Sequence, residues 1–154
     1  MVNNITTAQG VQTGLNKADI VYETEVEGGI TRLMAVFKDV TGLKRIGTIR
    51  SARYPYVDLA LGHNAIYVHC GQDPNYCKPH LADIDDMSVD KGQYGERIAN
   101  GLSKEHTLYS TGDLLQQGAK KHKFSTTLDS VSLWANFADE ITDIGPNVCS
   151  TVKV

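Results

Sequence analysis

The chain is poor in the features that would classify it at a glance. Among its 154 residues only Cys70, Cys77 and Cys149 are cysteines, too few for a disulfide scaffold and odd in number. One tryptophan, four prolines and no repeat or low-complexity tract exclude collagen-like, proline-rich and solenoid architectures. The longest apolar run, Leu33 to Phe37, falls far short of the roughly 18 residues that cross a bilayer. No charged segment followed by an apolar stretch opens the chain. Basic charge is not in excess either. Fifteen Lys and Arg face 18 Asp and Glu for a net charge of -3, which argues against a nucleic-acid partner, since that needs a basic surface to displace counterions from phosphates. Gly-x-Ser-x-Gly, P-loop and dinucleotide fingerprints are all missing, so serine hydrolases, P-loop NTPases and Rossmann oxidoreductases lose their usual signals.

What is present is an ordinary globular composition, 41% hydrophobic and 21% charged, of a length that suits one domain over residues 1–154. From Asp19 to Glu27 the residues alternate, Ile20, Tyr22, Thr24 and Val26 against Asp19, Glu23, Glu25 and Glu27, which predicts a half-buried strand ended by Gly28 and Gly29. Leu33–Phe37 and Ala65–Val68 do not alternate and predict central strands covered on both faces. Arg45–Ile49 follows the turn-like residues 39–42 and is expected to pair antiparallel with the Leu33–Phe37 strand, because so short a connection cannot make a parallel crossover. A helix is predicted from Tyr54 to about Leu61, with Pro55 near its start and Gly62 at its stop. A second follows the capping residues Ser110 to Asp113 and ends near Lys120, Lys121 and His122. Residues 72–107 read as loops and small helices at one edge. The expected class is α/β (α+β), a mixed central sheet flanked by helices on both faces.

Several groupings could carry chemistry. Arg50 and Arg53 lie three apart where a strand gives way to a helix, a junction whose free N–H groups suit an anion. The alternative is that these arginines pair with Glu23, Glu25 and Glu27, which otherwise form a solvated face or attract a cation. His69, Cys70, Cys77 and His80 have zinc-like chemistry, but Cys-x6-Cys-x2-His lies outside the usual finger spacing. A Cys70–Cys77 disulfide is favoured instead in an oxidising envelope, since Gly71, Asp73 and Pro74 can turn the chain between them. His106, beside Glu105 and Tyr109, reads as an acid/base group or as a structural hydrogen bonder.

Ala18–Phe37, the Ile-Gly-Thr-Ile-Arg-Ser-Ala-Arg run of residues 46–53, Ala65–Gly71 and the Glu-His-Thr-Leu-Tyr-Ser-Thr run of 105–111 resemble the N-terminal domain of the YerB-like bacterial envelope lipoproteins. The likeness covers most of residues 1–123. It implies a longer protein with a lipidated N-terminal cysteine and a smaller C-terminal domain, both absent from this chain, which starts within the family's first strand. The implied location is extracytoplasmic, with the membrane reached only through that lipid anchor. The expected role is to bind an anionic envelope ligand or a partner protein, without a cofactor, or to support the missing C-terminal domain. A second run, from Arg32 to Val57 and again from Asn64 to Gly71, resembles the LytR-CpsA-Psr phosphotransferases, which act on polyprenyl-pyrophosphate-linked wall polymers. That likeness implies an anion site of Arg50, Arg53 and Arg32, with Asp19 or Glu23 assisting a divalent cation. Tyr54 stands where those enzymes carry an aspartate, which removes one of their metal ligands.

Overall fold

A computed structural model describes residues 1–127; Cys149 and the stretch from Trp134 to Val154 lie outside the described residues. The chain opens with strand β1 (Val2–Asn3) and one helical turn, α1 (Thr6–Gln9). β2 (Ile20–Glu25) then forms a hairpin with β3 (Thr31–Val36). Its turn holds Gly28 and Gly29 at φ of 74° and 68°, where a side chain would be strained. The alternation of β2 is realised: Val21, Glu23 and Glu25 are exposed, while Tyr22 turns inward with Val26. β3 takes the centre of an antiparallel β1-β3-β2 sheet.

Next come β4 (Ile46–Gly47) and helix α2 (Tyr54–Gly62), with Pro55 in the first turn and His63 as C-cap. α2 buries Tyr56, Val57 and Ala60 against Met1, Met34 and Tyr67, closing the first apolar cluster. β5 (Tyr67–His69) runs parallel to β6 (Asp86–Ser88). β7 (Asp90–Lys91), β8 (Tyr94–Arg97) and β9 (Leu108–Ser110) join β4 in a sheet of order β4-β9-β8-β7. A second cluster of Ile46, Ile49, Met87, Val89, Leu108 and Leu115 lies between these strands and helix α3 (Gly112–His122).

The α+β class is as expected, with strands that pair both parallel and antiparallel, but among the described residues they form three small sheets. Three expectations are corrected. β4 pairs with β9, not with β3, because β1 and β2 already occupy both edges of β3, and Ile46 and Ile49 are buried with Leu108. Residues 72–107 contain three strands rather than only loops and small helices: Met87 and Val89, each 1% exposed, alternate with Asp86, Ser88 and Asp90. Val36 and Val68 are only partly buried, so their strands are not fully covered on both faces. The caps of α3 fall where expected. Thr111 Oγ1 accepts from Leu114 N at 3.2 Å, and Lys120, Lys121 and His122 fill the last turn.

Candidate functional site

Two of the three candidate arginines converge on a carboxylate from their own chain. Arg53 donates through Nε to Glu27 Oε2 at 2.7 Å, through Nη2 to Glu27 Oε1, and through Nη1 to Ala52 O at 2.8 Å. Arg32, only 2% exposed, donates to Ser51 O at 2.5 Å and to Glu27 Oε1 at 3.1 Å. The hydrogen bonds from Arg53 hold the Glu27 carboxyl down at about 2, and Glu27 in turn raises Arg53. Burial, reinforced by the charge of Arg53, pushes the Arg32 guanidinium down to about 10. Three of the five N–H groups of the Arg53 guanidinium are engaged within the chain, and its Nε/Nη2 edge is closed by Glu27.

Arg50 points elsewhere, into a cleft of about 280 Å³ lined by Ile49, Arg50, Cys70, Arg97, Lys104 and Glu105. Distant segments build it: the stretch after β4, the residue after β5, the end of β8, and a 3-10 turn over Lys104–His106. Arg50 Nη1 lies 3.1 Å from Glu105 Oε2, while its buried Nε has no hydrogen-bond partner. Arg97 is braced by Lys104 O at 2.8 Å and Asp90 Oδ1 at 2.9 Å. Cys70 Sγ lies 3.9 Å from Arg97 Nη2; burial pushes this thiol up, with Asp90 acting in the same sense and Arg97 and Arg50 opposing it. Three cations thus meet two carboxylates, a local positive excess on a chain of net charge -3. Arg97 and Lys104 escaped the sequence reading, for neither sits in a motif that points to Arg50.

The remaining candidates have separate duties. Asp19 Oδ2 accepts from Lys38 N at 2.6 Å, closing the open end of the β2–β3 hairpin. Glu23 Oε1 accepts from Asn4 Nδ2 at 2.9 Å and Thr31 Oγ1 at 2.6 Å. Among the described residues no group of three or more His, Cys, Asp and Glu is arranged to hold a metal ion. Cys70 and Cys77 are free thiols, so the expected bridge is corrected: Cys77 is buried in the first apolar cluster and Cys70 packs on the second. Burial raises Cys77 to about 11. His106, 8% exposed, lies 2.7 Å from Asn3 Nδ2 through Nδ1. Asn3 Oδ1 accepts from Ile5 N, which fixes the amide as the donor and leaves the imidazole proton on Nε2, 3.5 Å from Glu105 Oε1. One pairing had no signal in the sequence: His69, fully buried, places Nδ1 2.7 Å from Gly71 O and Nε2 2.5 Å from Oδ1 of the half-buried Asp86. Both ring nitrogens face acceptors, so the pair holds either an imidazolium or a shared carboxyl proton.

Comparison with known proteins agrees with the first of the two likenesses. A family model described as "Protein of unknown function (DUF3048) N-terminal domain" matches residues 1–125. YerB of Bacillus subtilis (strain 168), provisionally named a lipoprotein, is 45% identical over 74 residues, which are 48% of this chain and 22% of that protein. A crystal structure of the Bacillus subtilis YerB protein superposes with a TM-score of 0.72 at 34% identity, covering 81% of this chain and 43% of the other. The chain therefore spans less than half the length of these relatives. On sequence and fold together, it belongs to the family defined by the N-terminal domain of the DUF3048 proteins of unknown function.

Proposed function

We propose that this domain binds a small anionic ligand, or the anionic end of a cell-envelope polymer, in the cleft between Arg50, Arg97 and Lys104. The observation that carries the reading is the convergence of three cations on one partly enclosed cleft, where Arg50 keeps a buried, unpaired Nε–H. An unpaired buried donor is costly, and a ligand oxygen taken up as the guanidinium adjusts offsets that cost. At about 280 Å³ the cleft lies just below the roughly 300 Å³ where pockets for drug-sized ligands begin, so it suits a charged headgroup rather than a whole lipid or polymer. The relative's name as a lipoprotein supports a ligand met in the envelope, outside the cytoplasm, with the membrane reached through a lipid anchor.

A phosphotransferase acting on polyprenyl-linked polymers would need a deep apolar tunnel beside its arginines. Here Ile49 and Cys70 are the apolar lining of the cleft, and Arg53 is turned to Glu27. No observation favours that second reading.

Calorimetric titration of the chain with inorganic pyrophosphate at low salt tests the proposal. Saturable binding is expected, weakened tenfold or more in Arg50→Ala and Arg97→Ala, since each charge-assisted bond contributes about 1.5 to 3 kcal/mol. Arg53→Ala should leave affinity unchanged. Absence of saturable binding, or equal affinity in Arg50→Ala, overturns the proposal.

A further inference from the structure

We propose that the Glu105 carboxylate is an internal stand-in for the ligand's anionic group, so that the cleft selects a phosphate monoester over a carboxylate. This rests on the cleft being an anion site.

Glu105 lines the cleft and occupies Arg50 Nη1 at 3.1 Å, yet its side chain is 53% exposed. An ion pair that open contributes little in water, so an incoming anion displaces it readily. The turn that carries Glu105 does not depend on its carboxylate. Backbone and neighbouring groups hold it: His106 N donates to Ser103 O at 2.9 Å, and Lys104 O accepts from Thr107 Oγ1 at 2.7 Å and Arg97 Nη1 at 2.8 Å. The other carboxylate oxygen, Oε1, faces Ser103 Oγ at 3.3 Å and His106 Nε2 at 3.5 Å, and these provide a resting place once Oε2 has left Arg50.

The selectivity follows from exchange. A carboxylate entering the cleft replaces one monoanion on Arg50 with another of the same geometry and gains little. A phosphate monoester brings between 1.5 and 2 negative charges near neutral pH and three strong acceptor oxygens. It can therefore engage Arg50 and a second cation at once, which Glu105, tethered to its turn, does not do.

Methyl phosphate and acetate, titrated by calorimetry into the wild-type chain, Glu105→Gln, Glu105→Ala and Arg50→Ala, provide the test, with thermal melts confirming that each variant is folded. The wild type should bind methyl phosphate in clear preference to acetate. Both Glu105 variants should bind methyl phosphate about fivefold tighter and gain measurable acetate binding. Methyl phosphate affinity that depends on Arg50 but is unchanged or reduced in both Glu105 variants overturns the stand-in role and leaves the anion cleft standing. Equal affinity of the wild type for the two probes overturns the selectivity. Failure of methyl phosphate to bind any of the four proteins removes the cleft reading and this inference together.

Discussion

Glu27 stands between two guanidiniums, and its loss should be felt in stability, not in ligand affinity. Its folded-state pKa of about 2 lies below the ordinary 4.5, so the pair stabilises the fold above about pH 4.5 and the contribution is lost as pH falls towards 2. Because Glu27 is more than half exposed, solvent screening reduces the effect to about 1 kcal/mol. Glu27→Gln should therefore lower the urea midpoint at neutral pH, and the curves of variant and wild type should converge on acidification; a constant gap would place the effect elsewhere. Arg53→Ala should lower the melting temperature by several degrees. The His69–Asp86 pair makes a sharper case. Asp86→Ala leaves Nε2 of a fully buried imidazole without its partner and should cost about 3 kcal/mol in chemical denaturation, whereas Asp86→Asn, which keeps an acceptor, should cost clearly less.

Strands and helices differ in how far their neighbours could be foreseen. α2 and α3 follow from capping residues and a proline within their own first turns, and the β2–β3 hairpin from alternation and two glycines. α3 further depends on a contact with no local signal: a Cβ on Gly112 would lie 1.8 Å from Val40 O, a backbone atom that cannot step aside. Gly112→Ala should be among the most damaging single substitutions, and a melt within a degree or two of wild type would show that the loop of Val40 yields. Removal of the cap by Thr111→Ala should cost about 1 kcal/mol. Met87→Ala, in a strand the sequence reading missed, should cost about 2 to 5 kcal/mol by opening a cavity beneath α3. That strand was legible in principle. Met87 and Val89 alternate with polar residues, but acids at both ends and the prolines and glycines around it made the segment look like loop.

Taken as one body, the chain is acidic, yet the cleft is lined by more cationic residues than carboxylates. Attraction of an anion there acts over a Debye length of about 10 Å at 0.1 M salt, while the net charge of -3 opposes approach from farther away. Raising ionic strength from about 0.01 to 0.15 M should thus weaken pyrophosphate binding several-fold, read by titration at each salt. Affinity that does not move with salt would mean that the exposed cations are not its source. No helix among the described residues is long and apolar enough to cross a membrane, and the relatives extend well beyond the region matched here.

Class and most helix and hairpin positions could be read from residue order, because they rest on patterns within a few residues: alternation, capping oxygens, a proline at a helix start, glycines in a turn. The chemistry could not. Arg50 and Arg53 are the same residue type three positions apart, yet one is closed onto Glu27 while the other opens into a cleft with Arg97 and Lys104. A guanidinium fork takes whichever carboxylate folding brings within about 3 Å, and that distance is set by the packing of sheets whose strands lie far apart in the chain. The same holds for β4, which reached β9 across about half the described chain because Ile46, Ile49 and Leu108 share one core. Local order chose the elements; through-space packing chose which charges were left for a ligand.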